Sequence, residues 1–251
     1  MPALILIGLL LGVAMLWVFA HTSNQGAIKR AKNRLYASLY EMRLFADEPA
    51  LVWKAQVGLL SNNLRYIGLM LVPAIIVTVP MVVVFAFLEA WYGMAPLPPG
   101  RQALVTMQVK TLDPAAAPPT LTAPPEIAIE SPPVRDIGDR QVSWRIRPSA
   151  PVSGVLHIVL PDGGRDENVD KNIEAGQGRR YLSDRRVRGL LALVLHPAEA
   201  RLPPGNVEWI EVHYPPATVR WLGISLHWLI WLLIFSMLGA LLLKNRFKVT
   251  F

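Results

Sequence analysis

Three windows of this chain carry no Asp, Glu, Lys or Arg: Pro2–Ala20, Ile67–Leu88 and Trp221–Leu243. They run for 19, 22 and 23 residues. A helix needs about 20 apolar residues to cross a hydrocarbon core of about 30 Å, and it meets its backbone hydrogen bonds internally there. Each window therefore reads as a membrane-spanning helix. Trp17, Trp91, Tyr92, Trp221 and Trp228 fall near the window ends, where amphipathic rings favour the interface. The first window has a rival reading as a cleaved signal peptide ending at Val18-Phe19-Ala20. A signal peptide wants a basic segment ahead of its apolar run, and Met1-Pro2 supplies none.

The rest of the composition agrees with a membrane protein. Only 17% of residues are charged, against about 25% in a soluble domain. The net charge of +7 raises a nucleic-acid reading, and the placement of the charges removes it. Residues His21–Tyr66 hold seven basic and three acidic groups, and the tail after Leu243 holds Lys244, Arg246 and Lys248. Residues Tyr92–Thr218 hold fourteen of each sign. Short basic loops stay in the cytoplasm. The expected plan is therefore a span over 1–20 with its N-terminus outside, a cytoplasmic basic hairpin over 21–66, and a second span over 67–91. An external domain over 92–218, a third span over 219–243 and a cytoplasmic tail over 244–251 complete it. The expected location is the cytoplasmic (inner) membrane, with the lipid bilayer as one partner and no nucleic acid. The chain has no cysteine, which excludes disulfides, thiolate metal sites, a cysteine nucleophile and a lipoprotein anchor.

Within the hairpin, Ile28, Ala31, Leu35, Leu39, Met42 and Phe45 recur at spacings of three and four, the period of an amphipathic helix. Asp47 suits an N-cap, and Glu48 and Pro49 suit the first turn of a second helix that feeds into the second span. This hairpin is either a connector touching anionic headgroups or a docking platform. Tyr36, Tyr40 and Trp53 are its candidate partner contacts, because exposed aromatics anchor interfaces.

In the external segment, Ala103–Leu112, Glu126–Glu130, Gln141–Arg147, Gly154–Leu160, Val187–Leu195 and Val207–Tyr214 read as short strands between Pro/Gly turns. Val142, Trp144 and Ile146 alternate with polar residues, so one face is buried. The expected fold is thus an α-helical membrane protein carrying an all-β, sandwich-like extracytoplasmic domain, immunoglobulin-like in outline without the cysteine pair. Asp162, Asp166 and Asp170 lack the spacing of a calcium loop. His157, His196 and His213 would bind metal only if three strands converged. Arg179, Arg180, Arg185 and Arg186 form a basic patch, a candidate partner contact. No nucleophile elbow, phosphate loop or zinc-protease motif occurs. The chain reads as a non-enzyme without catalytic, cofactor or metal residues.

Polar groups inside a bilayer are costly and often functional. Thr78, Ser225, His227 and Ser236 lie within the windows, and Asn62, Asn63 and Arg65 stand at the cytoplasmic mouth of the second. Pro73 and Pro80 kink that span.

The stretch Ala31–Pro80, in particular RLYASLYEMRLFADEPALVWKAQVGLLSNNLRYIGLMLVPAIIVTVP, has a helix, an acidic turn and a helix running into a proline-containing span. With the order of spans around it, this resembles the core of the YidC-like membrane protein insertase superfamily, including its short three-span relatives. The resemblance implies a hydrophilic, cytoplasm-open groove among three helices that eases client segments into the bilayer. It places Arg65, Asn62, Asn63, Thr78, Ser225, His227 and Ser236 in or near that groove. The implied partners are nascent chains or other membrane proteins. The alternative reading is a non-catalytic accessory subunit of a hetero-oligomeric membrane complex, with the β-domain making external contacts.

Overall fold

The computed structural model describes residues 1–45, 47–162, 165–178 and 181–247. They hold five helices: α1 (Pro2–Thr22), α2 (Gln25–Leu44), α3 (Pro49–Tyr92), α4 (Leu190–Leu195) and α5 (Trp228–Phe247). The chain divides into two compact units, Met1–Met81 with Leu229–Phe251, and Val82–Trp228.

The first unit is helical. The hydroxyls of Thr22 and Ser23 donate to the carbonyls of Val18 and Phe19 at 2.8 and 2.6 Å, closing α1. Asn24 then caps α2, its Oδ1 accepting from the Ala27 N–H at 2.9 Å, which answers one of the donors that every helix start leaves unpaired. The second turn differs by one residue from expectation. The Glu48 carbonyl accepts from Leu51 and Val52, so Glu48 and not Asp47 stands at the start of α3, because Pro49 has no N–H and suits the first helical position. Ile28, Ala31 and Ser38 of α2 and Ala55 of α3 are buried. A Cβ on Gly58 would meet the Ser38 hydroxyl at 3.5 Å, so the hairpin helices approach closely there.

α3 is a single helix of 44 residues with Pro73 and Pro80 inside it, about 66 Å long at 1.5 Å per residue. No break separates the hairpin helix from the apolar window that follows. α1 packs on α5 through glycine. A Cβ on Gly8 would lie 2.8 Å from Phe235 Cβ, one on Gly239 would lie 2.9 Å from the Leu9 carbonyl oxygen, and one on Gly12 would overlap the Ser236 carbonyl. Small residues let apolar helices reach this contact. Ala14, by contrast, is exposed.

By length and composition, α1 and α3 can each cross a membrane. The third window is divided. Residues Val219–Trp221 and Ile224–Leu226 form a two-stranded hairpin, and the apolar helix begins only at Trp228 and is apolar to Leu243. Leu222 and Gly223 have φ of 49° and 81°, the left-handed pair of a tight hairpin turn. Absence of charge marks an apolar run, but Gly223 decides its backbone.

The second unit holds the strands β1 (Ala103–Val109), β2 (Thr120–Thr122), β3 (Ile127–Ile129), β4 (Val134–Asp136), β5 (Gln141–Pro148), β6 (Val152–Asp162), β7 (Arg165–Ala175), β8 (Arg185–Val187) and β9 (Val207–Val212), with β10 (Val219–Trp221) and β11 (Ile224–Leu226) as the hairpin just described. One sheet runs β3-β5-β1-β9-β8 with β4 also on β5, and a second runs β2-β6-β7. Val105, Met107, Trp144 and Ile210 of the first share one core with Leu156, Ile158, Val169 and Ile173 of the second. Two sheets thus enclose a common interior, divided six and three, unlike the four and three of an immunoglobulin constant domain. The expected face of Val142, Trp144 and Ile146 is buried.

One strand expectation is corrected, and one long strand was not among those expected. Val187–Leu195 is not one strand: β8 ends at Val187, and Leu190–Leu195 is the helix α4, because Gly189 interrupts the strand and a Leu/Ala-rich run favours helix. β7, with the sequence RDENVDKNIEA, looks too polar for a strand, yet it pairs with β6 from Ala175 opposite Val152 to Arg165 opposite Asp162.

Candidate functional site

Helices α1, α3 and α5 line a groove of about 390 Å³. Its walls come from Gly12, Met15 and Phe19, from Val77 and Thr78, and from Ser236 and Met237. Thr78 and Ser236 of the expected set therefore meet here. Both hydroxyls are already engaged, Thr78 donating to the Ala74 carbonyl at 2.8 Å and Ser236 to the Leu233 carbonyl at 3.0 Å. Such bonds to the same helix satisfy a hydroxyl in an apolar setting. No charged residue lines the groove, so it differs in polarity from the hydrophilic cleft expected.

The other expected groove residues do not line it. Asn62, Asn63 and Arg65 stand on α3 nearer its start, with Asn63 and Arg65 exposed. Ser225 lies on β11 opposite Arg220. His227 precedes α5 rather than sitting inside a helix, its ring 5.8 Å from that of Trp228. The β10–β11 hairpin removes both from the helical run. Trp228 is buried, and its indole N–H donates to Glu89 at 2.8 Å.

The hairpin helices carry their aromatics outward. Tyr40 and Trp53 are 68% and 69% exposed, and Tyr36 is also exposed. The basic patch divides. Arg179 and Arg180 lie outside the described residues. Arg185 pairs with Glu211 at 2.5 Å and stacks over Trp209 at 4.3 Å. Arg186 donates to the carbonyls of Ala200 and Asp170 at 2.9 and 2.6 Å. Both thus tie β8 to its neighbours.

One polar cluster was not anticipated. Lys171 points into the core of the second unit, 0% exposed, and its ammonium meets Glu199 at 3.1 Å and the Ser183 carbonyl at 2.7 Å. Burial lowers its pKa from the usual lysine value, against the opposing pull of Glu199. Glu199 also accepts from the Asn172 N–H at 2.6 Å and the Ser183 hydroxyl at 3.0 Å. Tyr214 accepts from the Glu174 N–H at 3.0 Å, and its burial raises the phenol pKa. Glu167 accepts from the Asn206 N–H at 2.6 Å and pairs with Arg188 at 3.1 Å. The outer edge of β7 is therefore met by the Glu199 and Tyr214 side chains at the Asn172 and Glu174 N–H groups, and by the Leu97 backbone at its end. Beside it, burial pushes Asp184 up, and bonds from His196 and the Arg185 backbone outweigh this, leaving its carboxyl below the usual range. The signal for Lys171 was its phase, two residues from both Val169 and Ile173, which are buried.

His157 bonds Asp170 at 2.7 Å and His196 bonds Asp184 at 3.1 Å, so these two histidines have separate partners. No metal-holding cluster occurs among the described residues. The chain matches no protein-family model, no curated protein and no solved structure.

Proposed function

We propose that this chain is an integral membrane protein that assists the insertion or assembly of other membrane proteins, on the plan of the YidC-like insertases that its sequence resembles. In this reading α5 is the third span, the basic hairpin faces the cytoplasm, and the β-domain lies outside. The observation that supports it is the groove bounded by three apolar helices. Met15 and Met237 stand on its walls, and methionine suits surfaces that must adapt to several partners. Because the hydroxyls of Thr78 and Ser236 are satisfied, the groove favours an apolar client helix over a polar segment.

The lack of charge in that groove also favours the second reading, an accessory subunit whose groove is filled by one permanent partner helix. A photo-crosslinking amino acid at Met237 separates the two in translating cells. Adducts with many newly made membrane proteins are expected. A single stoichiometric adduct that persists after translation stops would establish the subunit reading instead.

A further inference from the structure

On the second unit, α4 forms one wall of a cavity of about 450 Å³ whose other walls come from the end of β1, from β8 and β9, and from the segment around Arg201. Its polar lining is mostly cationic. Lys110, Arg185, Arg188 and Arg201 line it with one carboxylate, Glu208. Arg185 and Arg188 are held by Glu211 and Glu167 through their terminal nitrogens. Their Nε–H groups are buried with no acceptor, which leaves unmet donor capacity in this wall. Arg201 uses its Nε on the Arg188 carbonyl. The Lys110 ammonium has no partner among the described residues, and Lys110 and Arg201 are both exposed. Lys110 and Arg201 against Glu208 leave a cationic excess at the rim.

The wall beside these cations is unusual. α4 buries none of its residues. Leu191 is 86% exposed, and Leu190, Val194 and Leu195 are also exposed. Leu195 lines the cavity itself. A solvated six-residue helix has no reason of stability to carry four bare aliphatic side chains, since exposed apolar groups grouped together mark an interaction surface. Cations beside an aliphatic ridge match a molecule with an anionic head and a hydrocarbon tail. A phosphate or carboxylate alone would leave the ridge uncovered.

We propose that this cavity binds an anionic lipid, the head meeting Lys110 and Arg201 and the chain lying along Leu191 and Leu195. The site is separate from the three-helix groove and holds under either reading of it.

The chain has no native cysteine, so Leu191→Cys carries a single environment-sensitive bimane on the full-length protein in a non-ionic detergent. Dioctanoyl phosphatidic acid, dioctanoyl phosphatidylcholine and inorganic phosphate are titrated in turn. Phosphatidic acid is expected to give a saturable blue shift at least about tenfold tighter than phosphatidylcholine, the equivalent of about 1.4 kcal/mol, with no shift from phosphate. Lys110→Glu with Arg201→Glu is expected to remove that preference, and Lys110→Glu alone to weaken it with the unfolding temperature unchanged, since that side chain is exposed and unbonded among the described residues. Equal binding of the two lipids, or a preference that survives the double charge reversal, overturns the proposal. A response to inorganic phosphate as strong as to phosphatidic acid overturns it too, in favour of a free-anion site.

Discussion

Lys171 is the one buried charged residue among the described residues. Its ammonium is shut in a sheet interior with one carboxylate and two carbonyls as company. Attraction within such a pair only roughly offsets the loss of hydration, whereas removing one partner leaves a naked buried charge. Glu199→Gln is therefore expected to lower unfolding stability by about 3–5 kcal/mol, measured by denaturant titration of tryptophan fluorescence. Adding Lys171→Met to that variant should restore most of the loss, because the glutamine carbonyl still accepts from Asn172 and no charge is left behind. A double variant as unstable as the single one would show that the pair carries stability of its own. At this scale the sequence was legible wherever alternation was clean, as at Val142, Trp144 and Ile146. It failed at Lys171 because a lysine inside a polar strand gives no composition signal; its burial depends on Glu199, which is placed by a different segment.

At the scale of elements, the tightest constraint lies between α1 and α5. Gly8, Gly12 and Gly239 sit where a side chain would enter the neighbouring backbone or Cβ. Gly12→Leu is expected to force these helices apart and cost about 1–3 kcal/mol, as overpacking does. It should read as a lower thermal midpoint and loss of monodispersity in detergent. Gly68→Leu is the matched control, since nothing lies within 4 Å of its added Cβ; an equal effect of both would refute the packing argument. Gly8, Gly12 and Gly239 stand in apolar runs like any other small residue, and their role follows from how α1 and α5 pair. The elements that resisted reading are the ones ruled by a single glycine. Gly189 turns a strand-like run into α4, and Gly223 folds the start of the third window into a hairpin. Hydropathy averages over a window and is blind to one residue's φ.

For the whole molecule, the proposed orientation rests on the unequal placement of charge between the hairpin and the charge-balanced segment. The cysteine-free chain allows a direct check with a membrane-impermeant maleimide on intact cells. Leu191→Cys is expected to label at once and Tyr40→Cys only after permeabilisation, since both side chains are exposed. The reverse pattern would invert the topology. The division into a helical and a β-rich part was legible from the charge-free windows and strand-like runs. Of the residues expected at a groove, Thr78 and Ser236 line the apolar one that α1, α3 and α5 form. Ser225 and His227 precede α5, and a charge count cannot tell the β10–β11 hairpin from the helix after it.

The side-chain seal along β7 also sets an order of events during synthesis. The hairpin β6–β7 can form as soon as Ala175 is made, but Glu199 comes 27 residues after Asn172, and Tyr214 comes 40 after Glu174. Until those acceptors arrive, the Asn172 and Glu174 N–H groups face any other extended chain, and such edges recruit strands in aggregation. The late carboxylate and phenol therefore act as a closing latch on that edge.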